Sequence, residues 1–361
     1  MCKKQNKDLR RITFSEAIRE GIDQAMMDNP NLIVIGEGVP DPKSIFLTTK
    51  GLQDKYGNKR IFDMPLSENG MTGICIGAAL NGTSVLMIHQ RIDFALLAMD
   101  QIVNNAAKWH YMFNGQSCVP IVIRVIVGRG WGQGPQHSQN LQALFAHIPG
   151  LKVVTPATAK DAKGMMIAAL KDKNPVIFIE HRWLHHIKDN VPKEAYISNL
   201  DRAHILRNGS SITVVANSLM TIESMKAADA LLEVGVSVEV VDLRSVKPID
   251  LDTILKSVSK TKNLVVVDSS WKSGGISGEV VSLVSEYGFD LLERAPLRIT
   301  SPDHIVPTSH YLADKYYQDA EIISENILTF LGRYNDADAI HSKFKTNDLM
   351  DVPSKEFHGP F

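Results

Sequence analysis

The stretch Ile121-Val122-Ile123-Arg124-Val125-Ile126-Val127, followed at once by Gly128-Arg129-Gly130-Trp131-Gly132-Gln133-Gly134-Pro135-Gln136-His137, decides the fold class. The first seven residues are rich in β-branched side chains and their polarity does not alternate. They read as a strand covered on both faces, as in a parallel sheet with helices on either side. The four glycines within the next seven residues let backbone approach a ligand closely, and the loop then presents Gln136, His137 and Ser138. In open α/β sheets ligands bind beyond the carboxyl ends of strands, which is where this loop stands.

Outward from that strand, short apolar runs alternate with helix-length stretches along most of the chain. Leu32–Ile35, Val85–Ile88, Val153–Thr155 and Val176–Ile179 read as strands, with helices predicted over Phe14–Met27, Met71–Asn81, Phe94–Phe113 and Ala159–Lys171. Lys188–Arg202 is polar and carries Pro192, so it reads as a linker. A second series follows, with strands Ile212–Ala216, Val236–Asp242, Leu264–Asp268 and Leu297–Ile299 and helices Thr221–Leu232 and Gly278–Tyr287. The expectation is α/β, in two domains over 11–190 and 204–331, each a mostly parallel sheet flanked by helices. A C-terminal extension, 332–361, is expected to lie on a surface or on a neighbouring chain.

At 361 residues, with 44% hydrophobic and 22% charged residues, the chain supports sizeable cores and is neither disordered nor fibrous in composition. Lys+Arg 39 against Asp+Glu 40 leaves a net charge of -1, so no global field draws it to nucleic acid or an anionic membrane. No apolar run nears the roughly 18 residues a bilayer crossing needs. The N-terminus lacks the apolar core of a secretory signal. Cys2, Cys75 and Cys118 lack both disulfide-framework and zinc-site spacing. A soluble protein of a reducing cytoplasm is the expectation.

Gly36-Glu37-Gly38 follows a strand but is not a dinucleotide fingerprint, because Asp41 stands where the third glycine belongs. Pro65-Leu66-Ser67-Glu68-Asn69-Gly70 precedes an apolar helix. Glu68 there either complements the helix dipole, with Ser67 as cap, or is a carboxylate held in an apolar cleft and bonded to a cofactor nitrogen. His89-Gln90-Arg91-Ile92-Asp93-Phe94 follows another strand and reaches the same sheet edge as His137. Arg91 either clamps a carboxylate or phosphate or pairs with Asp93 or a second chain. His181, Arg182, His185 and His186 either face the same cleft or form a solvated loop.

These segments, with Ala98-Met99-Asp100-Gln101-Ile102-Val103-Asn104, Gln136-His137-Ser138-Gln139, Pro149-Gly150-Leu151-Lys152-Val153-Val154, Val241-Asp242-Leu243-Arg244 and Gly274-Gly275, carry a family resemblance. From about Arg11 to Leu331 the chain resembles the β subunit of thiamine-diphosphate-dependent 2-oxoacid dehydrogenases, the E1 component. The resemblance implies a transketolase-like pyrimidine-binding domain at 11–190 and a transketolase C-terminal-like domain at 204–331. It implies that Glu68 hydrogen-bonds the aminopyrimidine ring and switches the cofactor on, that Phe94 stacks on that ring, and that His137 faces the reacting carbon. Glu68 and His137 are thus the expected catalytic pair, and Glu68 and Phe94 the expected cofactor contacts. His89, Arg91, Gln136 and His137 are the expected substrate contacts, and Ile121, Ala169, Asp172 and Asn174 the expected potassium site.

Enzymes of this class hold Mg²⁺ and the diphosphate with a Gly-Asp-Gly motif, which this chain lacks. The resemblance therefore implies a site shared with an α subunit in an α2β2 heterotetramer. It also implies decarboxylation of a small 2-oxoacid and acyl transfer to a lipoyl carrier on a separate acyltransferase, the E2 component. Around the substrate, Ile88-His89-Gln90-Arg91-Ile92-Asp93-Phe94 replaces a Glu-Phe-Met-Thr-Phe-Asn-Phe-like segment. The charge of Arg91 and Arg129 suits an anionic or hydroxylated substrate larger than pyruvate. Two other readings stay open. One is a carboligase or transketolase-like two-carbon transfer split over two subunits; the other is a non-catalytic interaction subunit, against which the joint presence of Glu68, Phe94 and His137 weighs.

Overall fold

A computed structural model describes residues 9–344, 349–353, 355 and 357. In chain order the strands of the first half are β1 (Leu9–Thr13), β2 (Leu32–Gly36), β3 (Ile61–Phe62), β4 (Ser84–His89), β5 (Ile121–Val127), β6 (Lys152–Val154), β7 (Val176–His181) and β8 (Lys188–Pro192). The second half adds β9 (His204–Arg207), β10 (Ile212–Ala216), β11 (Val238–Asp242), β12 (Ser245–Lys247), β13 (Leu264–Trp271) and β14 (Leu297–Ser301). A seven-stranded sheet runs β12-β6-β7-β5-β4-β2-β3 and a five-stranded sheet β14-β13-β10-β11-β9. Only β12 on β6 and β9 on β11 pair antiparallel within them, so the fold is two mostly parallel, helix-flanked sheets.

Every residue of β5 is buried, and its alternation assigns each face to a different layer of helices. Val122 and Ile126 join Phe14, Ile18 and Met165, from helices Phe14–Asp28 and Ala159–Lys171. Ile121, Ile123 and Val125 join Cys75, Ile76 and Ile102 on the other face. Each such aliphatic side chain contributes about 1.5–3 kcal/mol by leaving water. The two halves interlock: Gln142 donates to Asp268 at 2.8 Å and Arg244 reaches Asp161 at 2.9 Å.

Three features depart from the sequence expectation. The helix predicted over Phe94–Phe113 breaks into Ile92–Ala95, a 3₁₀ turn Leu96–Ala98, a π-helical stretch Gln101–Ala106 and Ala107–Met112. Its polar residues bond along the helix, Asn104 to Asp100 at 2.8 Å and Asn105 to Gln101 at 3.1 Å, while Ile102 and Ala106 enter the core. The expected linker begins as β8, because Lys188–Pro192 pairs antiparallel with β1, and where β8 ends the buried ammonium of Lys163 gathers the carbonyls of Pro192, Lys193 and Glu194 and holds the chain against the helix. Helices Leu251–Thr261 and Ala320–Phe330 have no counterpart in the sequence reading. No helix among the described residues is long and apolar enough to cross a membrane. Cys75 and Cys118 are free thiols, and burial pushes that of Cys75 up to about 12.

Arg124 on β5 and Glu180 on β7 form an ion pair whose side chains are both 0% exposed. Burial pushes the Glu180 carboxyl up, but Arg124 and His185 outweigh it and hold the group at about 2. Its folded value thus lies below its unfolded one, so this stabilisation is present above about pH 4.5 and is lost as pH falls toward 2. Glu180→Ala, which leaves Arg124 buried alone, is expected to cost about 3–5 kcal/mol in urea unfolding at neutral pH. The difference from the parent should shrink in acid; a loss below about 1 kcal/mol at neutral pH would show that the pair is dispensable.

Candidate active site

Past β3 the chain turns through Pro65 and Ser67 into helix Glu68–Leu80, whose first residue is Glu68. Glu68 is 7% exposed, and Ser67 makes no capping hydrogen bond, so the capping account fails for Ser67. Thr72 Oγ1 donates to the Glu68 carbonyl at 2.7 Å and fixes the backbone beneath the carboxylate. No described residue donates to that carboxylate. Glu37, just past β2, lies close by: its carboxyl is raised by burial first, then by the charges of Glu68 and Asp63. Glu37 Oε1 is buried without a partner among the described residues. Asp63 accepts from the Gly38 and Met64 N–H groups, but the Glu68 carboxylate and Glu37 Oε1 are left without a donor among the described residues; that pair fits a ligand that brings N–H donors or a proton, which is what an aminopyrimidine ring presents.

Phe94 and His137 come together as the sequence reading expects. Phe94 stands on the turn Ile92–Ala95, which follows β4, and His137 ends the loop that follows β5. Their rings meet edge to face, 5.3 Å between centroids at 87°. Asp93 ties the two segments by accepting from Gln139 Nε2 at 2.8 Å and from its backbone N–H at 3.3 Å. Burial raises the Asp93 carboxyl, opposed by those hydrogen bonds and by His137. The helix led by Glu68 packs against the turns that directly follow Phe94. Gln136, the fourth expected substrate contact, is exposed at the end of the 3₁₀ turn Gly134–Gln136.

Arg91 is buried and donates to the Gln90 carbonyl at 2.8 Å and to Gln133 Oε1 at 3.1 Å. It pairs with no carboxylate among the described residues, so the Asp93 alternative is not realised, and its Nε has no partner. Burial lowers its pKa, with Asp93 partly opposing. The Phe46 ring lies under both Arg91, at 5.1 Å, and Arg182, at 4.3 Å. Burial and then Arg91 bring Arg182 down to about 9. Phe46 sits on four consecutive left-handed residues, Ser44 to Leu47, with φ from 44° to 70°, a conformation L side chains rarely adopt. Sequence reasoning missed Phe46, and no glycine marks the turn.

His89 ends β4 with Nε2 buried and unpartnered; burial takes its pKa down to about 4, so it is neutral near pH 7 and adds no charge. Arg129 does not add its charge to the cleft as expected. Its guanidinium lies between the rings of Trp183 and Tyr317, at 4.3 and 4.2 Å, and donates to the Met350 carbonyl at 3.1 and 2.8 Å. The segment after β7 is buried rather than solvated. Arg182 bonds His185 Nδ1 at 3.1 Å, and His185 Nε2 meets Glu180 at 2.9 Å. Burial holds His185 at about 4, so the neutral ring accepts from Arg182 and donates to Glu180.

Of the expected potassium ligands, Ile121 starts β5, while Ala169, Asp172 and Asn174 gather around the turn before β7. There the Ala169 carbonyl accepts from Asp172 N at 3.1 Å, and the Asp172 carboxylate takes Lys152 and the Asn174 N–H. A cation at this turn shares Asp172 with an ammonium group. The one group of described acids and histidines with metal-ligand spacing lies elsewhere: Glu321, Glu325 and His341.

Residues 10–186 match the transketolase pyrimidine-binding domain and residues 201–323 the transketolase C-terminal domain. The chain is 40% identical over 290 residues to the pyruvate dehydrogenase E1 component subunit beta of Rickettsia felis, covering 80% of this chain and 89% of that one. It is also 40% identical over 326 residues to the acetoin:2,6-dichlorophenolindophenol oxidoreductase subunit beta of Cupriavidus necator, covering 87% and 96%. Among solved structures, a split-gene transketolase, an inactive beta4 tetramer, superposes with a TM-score of 0.73 at 22% identity over 90% of this chain and 99% of that one, a likeness of fold. With matches running through both halves, the chain belongs to the transketolase-like E1 β-subunit family of thiamine-diphosphate-dependent enzymes.

Proposed function

We propose that this chain is the cofactor-activating half of a 2-oxoacid-decarboxylating, acyl-transferring dehydrogenase, completed by an α-type subunit in an α2β2 assembly. The observation that carries this is the buried, undonated carboxylate of Glu68 on a helix packed against Leu96–Ala98 and Gln101–Ala106, the segments that follow Phe94 of the Phe94–His137 pair. Thiamine diphosphate, when bound, supplies the electron sink that decarboxylation requires. Glu68 holds a proton at the ring nitrogen, in surroundings where low dielectric strengthens that bond. Phe94 offers the ring an aromatic partner. His137, steadied through Asp93 and Gln139, turns a ring nitrogen to the substrate and moves a proton. Arg91 holds an anionic group at the far end of the substrate, where His89 and Gln136 complete the contacts.

The exposed Leu66, Ile74 and Leu97, 80%, 61% and 62% accessible, flank this site and suit cover by the α subunit, which would also hold Mg²⁺ and the diphosphate. Potassium at the Ile121, Ala169, Asp172 and Asn174 turn would brace β5, and the acyl group would leave on a lipoyl domain of an E2 acyltransferase in the cytoplasm. The acetoin oxidoreductase relative, equally similar, supports a second reading, a carboligase-type reaction through the same activated cofactor. Product mass with and without an aldehyde acceptor separates the two.

Glu68→Gln, assayed with the α partner, is expected to lower turnover by roughly 100-fold or more while the thermal melt stays in place. Near-normal turnover would remove Glu68 from the mechanism, and cofactor affinity indifferent to the change would favour an interaction subunit. Arg91→Thr should raise KM for a dicarboxylic 2-oxoacid by about 10-fold or more, the worth of a charged hydrogen bond, and leave KM for pyruvate nearly unchanged. Equal effects on both substrates would place Arg91 outside the specificity site.

A further inference from the structure

We propose that the end of the chain, through Met350, Asp351 and Phe357, is a working part of this active site: it clamps the glycine-rich loop that carries His137, with Arg129 and Asp351 as positioning residues. The proposal rests on the reading of His137 given above.

The loop is built to receive its own C-terminal segment. Arg129 donates twice to the Met350 carbonyl, and the Trp131 N–H donates to the Asp351 carbonyl at 3.0 Å. Gly130 has φ +77°, and a Cβ there would overlap the Asp351 carbonyl; one at Gly134, φ +65°, would overlap Thr308 Oγ1. Two of the loop's glycines therefore admit this chain's own atoms rather than a ligand. The Asp351 side chain, 3% exposed, takes His310 Nδ1 at 2.7 Å on each oxygen, and Met350 N reaches Asp314 at 3.3 Å. This anchors the clamp to the second half of the chain. Phe357 packs on Trp131 and His186, both at 5.4 Å, and on Arg182 at 4.5 Å, whose other ring contact is Phe46.

A segment with four glycines in seven residues has the largest backbone entropy to lose, so it holds one conformation only if it is tied at several points. The clamp supplies those ties on one side, and Asp93–Gln139 supplies them on the other. Between them the packing has no slack. A Cβ at Gly128 would overlap the His137 carbonyl and stand 3.0 Å from Arg91 Nε. Movement at Arg129 therefore passes through Gly128 to His137 and Arg91. A loosening of about 1 Å at a reacting group costs on the order of 100-fold in rate.

The test uses the complex with the α partner and three forms of this chain: one ending at Leu349, Asp351→Ala, and Asp351→Asn, whose amide oxygen still accepts from His310. The truncated and alanine forms are expected to lose about 10-fold or more in kcat with KM changed less than about 3-fold, and asparagine to restore most of it. Hydrogen exchange across residues 128–138 should quicken in the first two, and a peptide of residues 345–361 added to the truncated form should reverse both effects. Exchange left unchanged, or quickened exchange with kcat intact, would overturn the clamp. A full-length complex inert toward every 2-oxoacid would instead sink the functional reading, while the exchange measurement still judges the clamp.

Discussion

The buried carboxylate of Glu180 is the constraint on which the site's geometry depends. It lies near the carboxyl end of β7, answers Arg124 across the sheet, and accepts from neutral His185, which in turn accepts from Arg182. The Arg124 guanidinium inside the sheet and the buried His185 are tolerated because one acid with two oxygens meets both in bonding geometry, and Arg182 joins the chain through His185. The line from Arg124 to Arg182 carries fixed charge from the sheet's centre to its edge. At that edge the Phe46 ring lies against Arg182 and Arg91 together. The loops that carry Arg91 and Phe46 are thereby tied to buried residues of the sheet.

The remainder of the site follows from strand order. Because β2, β4 and β5 are adjacent and parallel, the segments leaving their carboxyl ends converge without any long excursion. Glu37 comes from β2, Phe94 from β4 and His137 from β5, while Glu68 follows the short edge strand β3 and leads the helix that returns beneath them. Glu37 and Glu68 come from the β2–β3 side, Arg91 and Asp93 from the end of β4 between, and Arg182 from β7.

Much of this was legible in the sequence, and the exceptions have physical causes. Buried parallel strands announce themselves by uninterrupted β-branched runs, and Ile121–Val127 and Ile212–Ala216 stand where the pattern puts them. His137 drew notice through its place after a glycine-rich loop at a strand end, whereas the position of Glu68 before an apolar helix left capping open, and Phe94 was singled out only by the family resemblance. Phe46 was not visible, since no glycine or motif marks its left-handed turn, which is held by side-chain hydrogen bonds within the loop: Thr49 Oγ1 reaches the Val39 carbonyl and Thr48 Oγ1 the Ile45 carbonyl. Glu37 was passed over because its flanking glycines were weighed only as a nucleotide motif, whereas Gly36 is needed where the Ile88 carbonyl crosses close behind it. Periodicity within a window says nothing about Asp351 meeting Gly130, a contact made across more than half the chain.

The two arginines that set this sequence apart around the substrate have different fates, and burial decides between them. Arg129 has its donors taken by a backbone carbonyl and both faces of its guanidinium covered by aromatic rings; bringing a ligand to it means dismantling that enclosure. Arg91 keeps a buried Nε with no partner, forms no ion pair among the described residues although the charge of Asp93 reaches it, and has a second guanidinium close enough to feel its charge. A cation so placed is held at a cost that a bound anion would offset, because burial has already desolvated the guanidinium. Under the proposed function this suits Arg91 to an acidic substrate, whereas the charge at position 129 is enclosed by its own chain.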